Sequence, residues 1–130
     1  MVHVKYINAC NKWMDKITNP WDKADFVGKA AAIAERDGNG PAQKVVTLEI
    51  DADGADASGY EPIWHEGNRV GFVTSGGYGH TTGKSLAMAM VDTDLTAEGT
   101  ELRVHIVGVE RAAKVIAPSP YDPKGQAMRG

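Results

Sequence analysis

The chain has a single cysteine, Cys10, so no internal disulfide can staple it. A lone cysteine reads as a small apolar residue rather than a nucleophile, and this usage fits a reducing, cytoplasmic setting. No apolar run approaches the ~20 residues that a membrane-spanning helix needs. The N-terminus also lacks the charged-then-apolar pattern of a secretory signal, so the expectation is a soluble cytoplasmic protein with no membrane partner. Blocks of like charge are missing as well. With a net charge of −3 and its lysines and arginines scattered, the chain lacks the basic footprint that nucleic-acid binding requires.

Metal-ligand patterns are equally scarce. His3, His65, His80 and His105 share no zinc-type spacing. The acidic stretch with Asp51, Asp53 and Asp56 fails as a calcium loop, because Pro62 stands where the bidentate glutamate belongs. It reads as a solvated acidic loop. Ser75 has Val73 where a nucleophile elbow needs glycine, and no G-x-G-x-x-G fingerprint follows any predicted strand. Trp13, Trp21 and Trp64 read as suppliers of core area. The residues alone define no catalytic or metal site.

What the chain does have is glycine and proline, fifteen and six among 130 residues, a balance that favours many turns and hence β structure. The length suits one domain with one core. Residues 25–36 offer an N-cap at Asp25, apolar positions at Phe26, Ala30 and Ile33, and an alanine-rich middle, which predicts a short amphipathic helix. Gly38 to Pro41 ends it. The period then becomes two, with Val46, Leu48 and Ile50 on one face of a strand. Further strands are expected at Pro62–His65, Arg69–Thr74 and Ser85–Val91, the first two joined by a turn at Glu66-Gly67-Asn68. Leu102–Val107 and Arg111–Ala117 make a last hairpin across Gly108-Val109-Glu110. About six strands at regular spacing predict a mainly β fold, an antiparallel barrel or sandwich of Greek-key or jelly-roll type behind a short N-terminal helix.

One stretch invites a specific chemistry. Residues 75–85 read SGGYGHTTGKS, close to the phosphate-binding pattern of a glycine, four residues and Gly-Lys-Ser. Tyr78 occupies the position where that first glycine is required, so the stretch is expected to be a long, flexible hairpin connection.

Several ordered motifs carry a family resemblance. Gly59-Tyr60-Glu61-Pro62-Ile63-Trp64-His65-Glu66-Gly67, Val70 through Gly79, and Gly83-Lys84-Ser85-Leu86-Ala87 resemble the C-terminal barrel domain of the glycine-cleavage T-protein (aminomethyltransferase) family. They look most like its dimethylglycine and sarcosine dehydrogenase branch. Asp25-Phe26-Val27-Gly28-Lys29 resembles a helix-opening signature of the same family, and Gly99 through Val104 with Pro120-Tyr121-Asp122-Pro123 completes the order. The resemblance runs from about residue 22 to 129. It divides the chain into an N-terminal extension, residues 1–21, and a barrel domain, residues 22–130.

The resemblance implies the last lobe of a folate-binding unit. In such proteins tetrahydrofolate captures the one-carbon unit released when an N-methylated amine is oxidised, and a separate FAD domain performs the oxidation. The chain is therefore expected to be part of a longer polypeptide, whose upstream folate and flavin domains are its partners and whose substrate is a small methylated amine. FAD would not bind to this chain, and the chain alone would be inactive. Family position makes Tyr121 a stacking surface and Arg129 a partner for a folate carboxylate, with Tyr78 a candidate for the cavity wall. T-proteins proper carry a tyrosine pair where this chain has Gln126 and Ala127. The alternative is a free-standing, non-catalytic barrel used as a binding module.

Overall fold

The structure, a computed structural model, describes residues 24–129. The chain divides into two compact units, Met1–Ala42 and Gln43–Gly130. Cys10, His3, Trp13 and Trp21 lie outside the described residues.

In the first unit, helix α1 spans Lys29–Asp37 and has no buried residue. It starts later than its composition suggests, and Asp25 is not its cap. Gly28, at φ 91°, stands before the first turn in a left-handed conformation that breaks the helical path, and no side chain caps the end. The Asp25 carboxylate instead accepts a hydrogen bond from the Phe26 N–H at 3.1 Å. The helix closes as expected: the Gly38 N–H donates to Ala34 O at 3.1 Å, and the Gly40 N–H to Glu35 O at 3.1 Å.

The second unit is a closed antiparallel barrel. Its strands are β1 (Gln43–Ile50), β2 (Pro62–His65), β3 (Asn68–Gly79), β4 (Lys84–Asp92), β5 (Glu101–Ile106) and β6 (Val109–Ile116). Around the barrel the order is β1-β4-β3-β2-β5-β6, with β6 returning to β1. Strands β2, β3 and β4 are consecutive neighbours and β1 lies beside β4, the Greek-key arrangement. Closure leaves no free sheet edge.

Alternation explains the core. Val46, Leu48 and Ile50 of β1 point inward with Ile63 of β2, Val73 of β3, Leu102, Val104 and Ile106 of β5, and Val115 of β6. Leu48, Ile63 and Val104 have no exposed surface at all. Truncating such a residue to alanine costs about 2–5 kcal/mol, lost transfer energy plus the cavity left behind. Trp64 does not join this cluster. It is half-buried, after a register shift between Ile63 and Trp64, and its ring lies 5.3 Å from that of His105.

Two boundaries differ from their sequence reading. Strand β3 does not stop at Thr74 but runs on through the glycine-rich stretch to Gly79, paired with β4 from Ser75↔Met88 to Gly79↔Lys84. A bulge between Val73 and Ser75 absorbs Thr74, whose hydroxyl donates to Met88 O at 3.0 Å. The last hairpin turns at Val107-Gly108 rather than Gly108-Val109-Glu110, because both residues of a tight two-residue turn can be accommodated there at φ 51° and 79°.

Candidate functional site

Residues 51–59 cross from β1 to β2 and lie against the glycine-rich half of β3. Asp51, Asp53 and Asp56 are exposed, as expected of a solvated acidic loop, but the segment is anchored at two points. Ala57 is buried, and its carbonyl oxygen would stand 2.3 Å from a Cβ at position 76, so only glycine fits there. Asp56 Oδ1 accepts a hydrogen bond from Ser85 Oγ at 2.6 Å. Ser85 is 6% exposed, a polar residue at an inward strand position, and such a hydroxyl needs a partner. This was the signal in the sequence: Ser85 falls in phase with the buried Ala87, Ala89 and Val91.

Beside this crossing lies an open groove of about 780 Å³, within the size range of small-molecule sites. Tyr78, Lys84, Ser85, Asp56, Arg103 and Lys114 are among its walls. Lys84 Nζ pairs with Glu49 Oε2 at 2.6 Å, across partly exposed surface where such a pair contributes little. Lys114 sits in register between Glu49 of β1 and Glu101 of β5, and its ammonium makes no ion pair among the described residues. The Tyr78 ring is 51% exposed and meets His80 edge-on at 5.1 Å. The groove thus offers one half-exposed aromatic face, an uncommitted ammonium and several carboxylates.

The turn His80–Gly83 shows what the Gly-Lys-Ser signature does. The N–H groups of Thr82 and Gly83 both donate to Gly79 O, at 3.1 and 2.8 Å, and the Thr82 hydroxyl donates to the same oxygen at 3.0 Å. A Cβ at position 79 would come within 2.6 Å of that hydroxyl. Donors that would have to face a phosphate are committed to the turn, the lysine is held by Glu49, and a strand rather than a helix follows.

Of the three residues singled out as folate contacts, only Tyr78 lines the groove. Tyr121 is 55% exposed in the tail after β6, and Arg129 is the exposed last residue of a one-turn helix, α2 (Gln126–Arg129). Asp122 caps that helix by accepting hydrogen bonds from Gln126 and Ala127 N–H at 2.7 and 2.9 Å. The start of the tail is tied to the barrel by Thr47 Oγ1, which donates to Pro118 O at 3.0 Å. Among the described residues no cluster of histidine, cysteine and carboxylates could hold a metal ion, and no helix is long and apolar enough to cross a membrane.

A closed Greek-key barrel of this strand order, with its crossing loop and short C-terminal helix, can be placed among known proteins. Residues 43–122, the whole barrel and the start of the tail, match the glycine cleavage T-protein C-terminal barrel domain. The chain belongs to this family. It is similar to mitochondrial dimethylglycine dehydrogenase of Mus musculus, 37% identical over 110 residues that are 85% of this chain and 12% of the mouse protein. It is also similar to aminomethyltransferase of Staphylococcus carnosus (strain TM300), 35% identical over 97 residues, 75% of this chain and 26% of that protein. Among solved structures, the glycine cleavage system aminomethyltransferase T from Bartonella henselae matches with a TM-score of 0.68 and 31% identity, over 77% of this chain and 27% of that one. The chain therefore spans 12% to 27% of the length of these relatives, in which the barrel is one part of a larger protein.

Proposed function

We propose that this chain is the C-terminal lobe of a tetrahydrofolate-dependent aminomethyltransferase or of an FAD-dependent, dimethylglycine dehydrogenase-like demethylating enzyme. In this reading the barrel walls the folate cavity in which one-carbon transfer occurs, and the methylated amine is handled by the other lobes. The observation that carries it is the family match across all six strands, residues 43–122. The mixed identity of the relatives, one a dehydrogenase and one an aminomethyltransferase, keeps both parent activities within the proposal.

The groove's donor set suits tetrahydrofolate. A reduced pterin presents amine and amide N–H groups that carboxylates accept, a flat ring that the Tyr78 face can cover, and a glutamate tail that an ammonium such as Lys114 pairs with. Tetrahydrofolate, when bound, supplies the nitrogen atoms that accept the one-carbon unit. This chain's residues would bind and orient it and exclude water from one side. Tyr121 and Arg129 would reach it from the tail, as a stacking surface and a carboxylate partner. In this reading FAD is held by another part of the parent. A cytoplasmic location is part of the same reading.

The test is titration of tetrahydrofolate into the 130-residue chain and into a longer polypeptide with the folate lobes restored. One wall leaves most of the ligand in water, so the short chain should bind weakly or not at all, and the longer one should bind saturably. Turnover of dimethylglycine or sarcosine by the short chain alone would overturn the proposal.

A further inference from the structure

Consecutive residues of the crossing segment meet consecutive rows of the β3–β4 ladder. Residues directly opposite in an antiparallel pair point to the same side of the sheet. Gly76 with the buried Ala87, and Tyr78 with the buried Ser85, therefore share one side of this wall. Ala57 covers the first row, where its carbonyl oxygen leaves no room for a Cβ at position 76. Asp56 meets the second row, where its Oδ1 accepts the hydrogen bond from Ser85 Oγ at 2.6 Å. The register thus brings a carboxylate and the Tyr78 ring to one row, and both line the groove.

This carboxylate is held differently from its neighbours. Of the four that line the groove, Glu49 is neutralised by Lys84 at 2.6 Å. Those of Asp51 and Glu101 have no hydrogen bond or ion pair among the described residues. Asp56 is aimed by a neutral donor, a serine that is 6% exposed, while the Ala57 contact fixes the backbone beside it. A neutral donor orients a carboxylate without cancelling its charge, and Oδ2 has no partner among the described residues. The Tyr78 ring is braced from the turn side. His80 meets it at 79°, and its hydroxyl lies 4.0 Å from a Cβ placed on Gly83. An aromatic face beside an oriented, charged acceptor suits a flat heterocycle whose edge carries two adjacent N–H donors.

We infer that Asp56, aimed by Ser85, reads the 2-amino and N3–H edge of a pterin lying against Tyr78. The inference rests on the reading of the groove as part of a folate cavity, and it names the residue that decides which ring is accepted there. Both donors of that edge point the same way, so one carboxylate accepts from both. Oδ1 keeps a lone pair after its bond from Ser85, and Oδ2 keeps two. Ser85 is a positioning residue that acts through Asp56. A ring in which a carbonyl replaces the 2-amino group sets an acceptor against the carboxylate and is rejected.

The test uses the 130-residue chain and two probes, 6-methyltetrahydropterin and the matching tetrahydrolumazine, in which a carbonyl replaces the 2-amino group. Amide chemical shifts of Asp56, Tyr78 and Ser85 are followed at millimolar probe, since a single wall binds weakly. The pterin should shift these amides with an affinity about tenfold or more above that of the lumazine. Asp56→Asn keeps an oxygen for the Ser85 hydroxyl but turns a donor towards the ring, so the preference should fall to about one. Ser85→Ala should reduce the preference about threefold as the freed carboxylate turns to water. Tyr78→Leu should weaken both probes alike. An unchanged preference in Asp56→Asn or in Ser85→Ala would overturn the inference. Pterin shifts confined to other parts of the barrel, or none at millimolar probe, would overturn it as well. The folate reading is judged separately, by tetrahydrofolate binding to the longer polypeptide. Saturable binding there without a pterin preference here would leave that reading standing, and the absence of both would remove both.

Discussion

Ser85 Oγ and Asp56 Oδ1 lie 2.6 Å apart, and this hydrogen bond joins two residues of the groove wall that are 29 positions apart in sequence. Its two ends are unequal: Ser85 is buried on β4, whereas Asp56 is exposed on the crossing segment. That inequality predicts an asymmetric response to mutation. Ser85→Ala removes the buried hydroxyl and lets the carboxylate turn to water, at a cost of about 0.5–1.5 kcal/mol. Asp56→Ala leaves the hydroxyl buried without its acceptor, at about 1–3 kcal/mol. The double variant should resemble Ser85→Ala. Urea denaturation of the three variants measures the order, and equal losses for the two single variants would mean that the buried hydroxyl finds another partner.

Adjacent glycines in β3 should behave differently. An added Cβ at Gly76 meets Ala57 O at 2.3 Å, and the obstacle is backbone that cannot swing aside. Gly76→Ala should lift the crossing segment off β3 and destabilise the barrel by about 1–3 kcal/mol. At Gly77 nothing lies within 4 Å and the backbone is not left-handed, so Gly77→Ala should be neutral or stabilise by about 0.4–1 kcal/mol. Thermal unfolding of the two variants distinguishes them.

The same glycines show where sequence reading stopped. The strands whose side chains alternate, such as Val46-Leu48-Ile50, were legible because burial on one face imposes a period of two. Glycine has no side chain to show a period, so residues 75–79 read as a flexible connection although they continue a strand. Gly76 is glycine because the crossing segment presses against it, a contact with residues distant in sequence, whereas Gly79 makes room for the Thr82 hydroxyl of the turn that follows. The helix start was misplaced for a related reason, since Asp25 satisfies a local capping pattern but Gly28 sets the backbone. Of the groove's residues, Tyr78 was already a candidate in the sequence, and its part in a folate cavity is a proposal. Lys114 was not, because a lone cation on a strand gives no signal until its neighbours Glu49 and Glu101 are known.

Lys84 tests the phosphate reading directly. Its ammonium is held by Glu49 at 2.6 Å on partly exposed surface, and the turn before it uses its own N–H groups internally. Lys84→Ala should change stability by less than about 1 kcal/mol. Calorimetric titration with ATP should give no saturable heat for either protein. Saturable ATP binding that disappears in Lys84→Ala would show that the turn rearranges into a phosphate site.

The tail and the groove can be tested separately in a longer polypeptide that binds tetrahydrofolate. If Arg129 pairs with a folate carboxylate, Arg129→Ala weakens binding by about 1–3 kcal/mol, the range for a charge-assisted hydrogen bond. The loss should shrink for a folate analogue without the glutamate carboxylates, since the arginine then has no partner to lose. Tyr78→Leu keeps apolar bulk but removes the ring, so its effect should be smaller, about 0.5–1.5 kcal/mol, and independent of the glutamate tail. Tyr78 lines the groove and Arg129 does not, so the two losses report on different parts of the ligand. Near-additive losses in the double variant are expected for separated contacts. Wild-type affinity in Arg129→Ala would take the tail out of the site, and wild-type affinity in Tyr78→Leu would take the groove out of it, while the barrel's family membership would stand in either case.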